Sequence, residues 1–197
     1  MRPTEAKKEY YRREAKRVGY RSRAAFKLLE INNVFHIFNE GMYVVDLGCS
    51  PGGWSQVALQ FIGKGKIVGI DIEDIKPLPI EFINASIEDP SLSERILNIL
   101  GRKVDLILSD MAPNVSGIWS LDHIRQVDLV YKAVDLAEKI LRRSGNMVVK
   151  VFEGEMFNQL REDLSKRFKD VIIFKPKASR KESSELYLIC KGFKQVS

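Results

Sequence analysis

A chain of 197 residues with 45% hydrophobic content can bury one well-formed core, and its length points to a single domain over 1–197. No apolar run approaches the roughly 18 residues of a membrane span, and the charged N-terminus lacks a signal-peptide core, so a soluble cytoplasmic protein with no membrane partner is expected. The net charge is +6 and unevenly spread: residues 1–27 hold ten Lys and Arg against three Glu, which leaves the remainder close to neutral.

The basic stretch comes first. Lys7, Lys8, Arg12, Arg13, Lys16, Arg17, Arg21 and Arg23 lie in or just beyond an N-terminal arm over 1–21, interleaved with Tyr10, Tyr11 and Tyr20. Such a patch suits a polyanion, because phosphate contacts supply affinity without reading sequence. The tyrosines could stack on bases. A solvated helix face is the blander reading of the same charges. Ser22 is then expected to cap a helix through Asn33, with Ala25, Phe26 and Leu29 facing the core of an α/β body over 22–197.

Seven strands follow, near Tyr43–Asp46, Lys66–Ile70, Glu81–Asn84, Val104–Ser109, Asn146–Phe152, Val171–Phe174 and Glu185–Lys191. Helices are expected over Trp54–Phe61, Ser91–Leu100 with Ser91 as cap, Ile124–Leu141 and Met156–Phe168. Alternating strand and helix predicts a mostly parallel sheet covered on both faces. The short basic loop from Lys175 to Ser184 leaves no room for a crossover helix, so the last strand should run antiparallel. That is the Rossmann-like architecture of many S-adenosylmethionine-dependent methyltransferases. Lys175, Lys177 and Arg180 make that loop a second basic cluster.

The first strand runs into Asp46-Leu47-Gly48-Cys49-Ser50-Pro51-Gly52-Gly53-Trp54, where an α/β sheet opens its binding crevice. Gly48, Gly52 and Gly53 let backbone approach a ligand, and Pro51 stiffens the turn. The spacing is neither that of a dinucleotide fingerprint nor that of a P-loop. Asp71 ends the second strand, where a carboxylate can accept from ribose hydroxyls, and Asp46 would suit a cationic amino-acid tail. Those features describe S-adenosylmethionine better than NAD. Cys49 and Cys190 show no metal spacing and fit a reduced compartment; His36 and His123 are read as packing or surface residues. No metal is expected.

The fourth strand ends at Asp110 and the fifth carries Lys150 in an apolar run, where a charge must be paired or used. A structural ion pair and a reaction centre both satisfy that demand. The blocks Arg21–Glu30, Asp46–Gln56, Ser109-Asp110-Met111-Ala112-Pro113-Asn114 with Ser116-Gly117, Val149–Phe152, and Lys175-Pro176 through Tyr187 together resemble the FtsJ (RrmJ) family of RNA ribose 2′-O-methyltransferases, from about residue 10 to the end. The resemblance implies a catalytic tetrad at Lys27, Asp110, Lys150 and Glu185, and cofactor contacts at Gly52, Trp54, Asp71 and Asp110. Most members carry an Asp after the third strand. Here Ser86 takes that place, with Asp89 three positions on.

Lys150 would be the central residue, either as proton acceptor for the 2′-oxygen or as a stabiliser of charge developing on it. The implied substrate is a uridine of large-subunit ribosomal RNA, taken as RNA or in the large ribosomal subunit. A monomer that does not act on DNA is expected. The other readings are a methyltransferase of the tRNA anticodon loop or mRNA caps, and a non-catalytic RNA-binding assembly factor. A Rossmann oxidoreductase is disfavoured by the Pro51–Trp54 turn and the basic patches.

Overall fold

The computed structural model describes residues 3–179 and 183–195, with 3–8 as backbone only. In chain order the elements are α1 (Pro3–Val18), α2 (Ala24–Phe35), β1 (Tyr43–Leu47), α3 (Gly53–Ile62), β2 (Lys66–Asp71), β3 (Glu81–Asn84) and α4 (Leu92–Leu100). Then come β4 (Val104–Ser109), α5 (Trp119–Ile140), β5 (Leu141–Phe152), α6 (Phe157–Arg167), β6 (Phe168–Phe174) and β7 (Glu185–Phe193). The basic arm is thus largely a helix, held to α2 through Tyr11 against Phe26 and the buried Ala15.

All seven predicted strands are present, and the differences lie at their edges. β5 starts five residues early because α5 passes into it without a loop: Leu141 both closes the helix and opens the strand. The exposed Arg142-Arg143-Ser144 hid that start, since no apolar alternation marks it. α5 itself begins at Trp119 because Asp122 reaches back to accept from Ser116 N (2.8 Å) and Gly117 N (3.2 Å), satisfying donors ahead of the first turn.

Two expected caps need correcting. Arg23, not Ser22, holds the cap position of α2, and the Ser22 hydroxyl lies where a Cβ on Gly53 would fall, 2.3 Å away. Ser91 sits at the cap of α4, but its hydroxyl donates to Asp89 Oδ1 (2.7 Å) and caps nothing.

The sheet order is β3-β2-β1-β4-β5-β7-β6, with β7 antiparallel to both its neighbours. Successive strands leave β1 in opposite directions, so the switch point lies between β1 and β4. On one face Val45, Leu47, Ile107 and Val149 pack with Ile96, Val130, Val134 and Leu160 of α4, α5 and α6. On the other, Val44, Leu108, Val148 and Ile189 pack with Leu28, Ile31, Val57 and Ile62 of α2 and α3. Among the described residues no helix is long and apolar enough to cross a membrane.

Register delivers the site. Leu47 pairs with Ser109, Ser109 with Val149, and Lys150 with Tyr187. One step beyond the first two pairs, Gly48, Asp110, Lys150 and Tyr187 fall along a single row at the carboxyl edge of the parallel strands.

Candidate active site

The crevice at the switch point is made from backbone and short side chains. Gly48 (φ +71°) and Gly52 (φ +110°) take a left-handed conformation that other residues resist, and the Ser50–Pro51 peptide is cis. A Cβ on Gly48 would lie 2.8 Å from Met111 Cγ, so glycine is what keeps this wall open. Asp71 braces the opposite wall, accepting from Ser50 N (2.8 Å) and Glu73 N (3.0 Å). Between them lies a cavity of about 330 Å³ bordered by Gly48, Ser50, Asp71, Ser86, Asp110 and Met111.

That space and those donors and acceptors fit a nucleoside. Asp71 presents a carboxylate at a strand end, as a ribose requires, and Ser86 with Ala85, Ile87 and Ile72 offers a small, largely apolar slot for a base. Ser86 is therefore the residue that borders the crevice after β3. Asp89 turns away, accepting from Ser91 and Arg95.

The other expected cofactor residues lie next to this cavity rather than on its border. Pro51, Gly52, Gly53 and Trp54 belong to the same turn but are not among the residues bordering this cavity. Trp54 is buried, donates its indole N–H to Ala24 O (2.9 Å), and packs beside Tyr187. Asp46 is wholly buried and accepts from Ser55 Oγ (2.7 Å). Alternation along β1 explains this: Asp46 shares the α3 face with Val44, so it cannot also face the crevice. Burial, opposed by the Ser55 hydrogen bond, pushes its pKa up to about 7, and Asp110 and Asp71 add to the rise.

Beside the crevice, and joined to it through Asp110, the side chains of Lys27, Asp110, Lys150 and Glu185 come together. Lys150 Nζ donates to Asp110 O (2.6 Å) and lies 3.2 Å from Asp110 Oδ1. Lys27, carried in by α2, donates to Glu185 Oε1 at 2.6 Å. Both lysines are 6% exposed. Tyr187 joins the two pairs, its hydroxyl donating to Asp110 Oδ1 (2.9 Å) and lying 3.4 Å from both Glu185 Oε1 and Lys27 Nζ. The network alternates charge, so each buried ion has a counter-ion.

Its titration follows from that arrangement. Burial raises the Asp110 pKa, but Lys150 and Lys27 beside it, with the Tyr187 and Lys150 hydrogen bonds, outweigh burial and hold it below the usual carboxylate range. Tyr187 is driven well above the usual phenol value by burial and by the Asp110 and Glu185 carboxylates, so it stays a neutral donor.

Tyr187 went unread in the sequence as a functional residue. Its signal was the strand period: two positions from Glu185, it must point the same way. Gln126 is a second addition, donating to Lys150 O (2.8 Å) and Met111 O (3.3 Å) and so tying α5 to both strand ends. A third is Ser179, whose hydroxyl reaches Glu185 Oε1 (2.9 Å). Glu30 clamps the same basic loop through Lys177 N (2.6 Å) and Ala178 N (2.9 Å).

The basic residues divide. Arg12, Arg13, Lys16 and Arg17 line the exposed side of α1, where Arg13 pairs with Glu9 and Arg17 with Glu14. Arg23 is half-buried, and Lys175 donates to Ser183 O (2.8 Å). The side chains of Lys7, Lys8 and Arg180 lie outside the described residues. Arg21 is corrected from a phosphate contact to a clamp. Its guanidinium donates to Lys76 O (2.6 Å), Pro77 O (2.6 Å) and Pro51 O (3.3 Å), fastening the loop after β2 across the glycine turn.

Comparison with known proteins agrees with this geometry. The family model described as FtsJ-like methyltransferase matches residues 20–193. A ribosomal RNA large subunit methyltransferase E from Nitrosopumilus maritimus is 44% identical, covering 98% of this chain and 99% of that relative. The protein of that name from Cenarchaeum symbiosum is 46% identical, covering 98% of this chain and 100% of the relative. A crystal structure of a ribosomal RNA methyltransferase from Plasmodium falciparum superposes with a TM-score of 0.80 at 35% identity, covering 88% of this chain and 98% of that one.

Proposed function

The chain belongs to the FtsJ-like methyltransferase family, and from that premise we propose that it methylates the 2′-oxygen of a ribose, a uridine of large-subunit ribosomal RNA, using S-adenosylmethionine. The observation that carries the reading is Asp110, which borders a nucleoside-sized crevice and holds Lys150, with Lys27 and Glu185 joined to the pair through Tyr187. The large-subunit target is taken from the names of the two relatives.

Asp71 and Ser86 would hold the nucleoside of the cofactor, with Gly48 giving it room and Asp110 at the end nearer the reaction. When bound, S-adenosylmethionine supplies an electrophilic methyl group, so the protein's task is to align and activate the ribose oxygen. Lys150 spends two of its donors on Asp110 and keeps the third for that oxygen. Held there, it orients the 2′-hydroxyl and stabilises the negative charge that develops on its oxygen as that oxygen bonds the methyl carbon and its proton passes to solvent. Lys27 and Glu185 fix the adjoining ribose and phosphate from the α2 side. Asp110, held ionised, keeps Lys150 in place.

The test is to incubate the protein with methyl-labelled S-adenosylmethionine and, separately, deproteinised large-subunit RNA, large subunits and tRNA. Label is expected in one ribosomal ribose, recognised because a 2′-O-methyl group makes the adjacent phosphodiester resistant to alkali. Label on a base, or on tRNA alone, would overturn the assignment.

A further inference from the structure

The first turn of α5 leaves a large aromatic uncovered beside the reaction centre. Trp119 is 51% exposed, whereas Trp54, the other tryptophan, is 3% exposed. Part of the Trp119 indole is nevertheless covered. It stacks on Phe152 with centroids 6.0 Å apart and planes at 29°, and on His123 at 6.2 Å and 23°.

The neighbours of the ring are themselves fixed. Beneath it, His123 Nε2 accepts from Met156 N (3.1 Å), and Gly154 lies so close that an added Cβ would come within 2.6 Å of His123 Cε1. Ahead of it, Asp122 holds the preceding loop through the Ser116 amide and hydroxyl and the Gly117 amide. A tryptophan fixed in this way loses little further side-chain entropy when a flat partner stacks on it.

Its place relative to the chemistry follows from helix and register. Trp119, His123 and Gln126 recur at four- and three-residue spacing and share one face of α5. Gln126 donates to the carbonyl of Lys150 itself. Seven residues of helix rise about 10 Å, and Phe152, the ring under Trp119, pairs with Glu185 of the tetrad. Trp119 therefore stands on the rim of the site.

We propose that Trp119 is a stacking platform for an unpaired RNA base within one nucleotide of the methylated ribose; this rests on the reading above that the substrate is RNA. The local charges favour a base over backbone as the occupant. Glu153 and Glu155, both exposed in the loop that follows Phe152, repel a phosphate. Arg125, exposed about two turns further along α5 and donating to Asn114 O (3.3 Å), supplies a cation for a neighbouring phosphate. An aromatic face accepts any base, so the platform positions the substrate without reading its sequence.

The experiment compares wild type, Trp119→Phe and Trp119→Ala with a single-stranded RNA of the target sequence and with the same RNA made abasic at the target and its two neighbours. Stacking predicts a fall in kcat/KM for RNA on the order of tenfold in Trp119→Ala, at most a few-fold in Trp119→Phe, and an unchanged KM for S-adenosylmethionine. Wild-type tryptophan emission should be quenched by the intact RNA far more than by the abasic one, and Trp119→Phe should lack that quench. The emission readout stands even if methyl transfer needs an assembled subunit or fails altogether, so it separates this proposal from the proposed reaction. Equal quenching by intact and abasic RNA would overturn it. So would loss of Trp119→Ala activity on ribosomal subunits alone with full activity on RNA, since the patch would then dock a protein.

Discussion

Lys27 and Lys150 carry the same charge as Arg13 and Arg17, but the two pairs live under different physics. The lysines are buried at a strand row and a helix, each against a carboxylate reached across the fold. The arginines have side chains 79% and 71% exposed, and each pairs with a glutamate of its own helix. Water screens the second pair, so those contacts contribute little and can be traded for phosphates. The first pair cannot be traded, because losing one partner strands a buried charge. A fixed buried network and an adaptable exposed surface are thus built from the same kind of side chain by burial alone.

The largest expected effect breaks the buried pair. Lys150→Ala removes the group proposed to face the 2′-oxygen and should lower methyl transfer about 10³-fold, while cofactor and RNA affinities change only a few-fold. Single-turnover transfer, with each binding measured separately, checks this. Near-normal turnover would end the catalytic assignment. Lys150→Arg should not rescue, since a planar guanidinium cannot reproduce the same contacts to Asp110. Next comes the bridge. Tyr187→Phe leaves the four charges in place but takes away the hydroxyl between them, and should cost about 1–2 kcal/mol of stability together with a rate loss on the order of tenfold. Urea unfolding and turnover on the same preparation would show whether the two losses travel together.

How far the site could be read in advance differs along the same line. Lys150 and Asp110 were legible because a lysine in an apolar strand and an acid at a strand end both demand an explanation that sequence alone displays, whereas Lys27 and Glu185 were implied only by the family resemblance. The sheet was legible because apolar runs and turn residues alternate, and the Lys175–Ser184 stretch is too short for a helix. Partners chosen by tertiary geometry were not legible. Asp46 was assigned to the ligand because it sits in the loop motif, yet strand alternation turns it toward Ser55. Arg21 was counted among the phosphate contacts because it is a cation in a basic run, and only the folded chain brings the carbonyls of Lys76 and Pro77 to it. Ser22 looked like a cap by its residue type, while the packing of Gly53 claimed it.

Two buried acids sharpen the comparison by their pH behaviour. Asp110 has cations beside it and is held below the ordinary range, so its contribution to stability is present above that range and lost as pH falls. Asp46 has none, and burial raises its pKa to about 7, well above the usual carboxylate range. Between that range and that value the folded chain holds a proton that the unfolded chain has released, so stability falls as pH rises through the window and levels off above it. Asp46→Asn should remove that slope. Wild type is expected to lose stability relative to the variant between pH 5 and pH 8 in urea unfolding. A difference independent of pH would show that Asp46 is ionised in the fold throughout.

The smallest effect per residue belongs to the exposed cations. Arg12 and Lys16 lie on the solvent side of α1, where neutralising each by alanine should leave the fold and the chemical step unchanged. If each meets a phosphate, the double variant should weaken RNA binding uniformly across sequences. It should also reduce the slope of log affinity against log salt by about 1.4 to 1.8, since each contact releases roughly 0.7 to 0.9 of a counterion. Binding measured over a range of potassium chloride concentrations reads that slope directly. An unchanged slope would place the RNA on another face, and the contrast with Lys150 would then be between a working charge and a merely solubilising one.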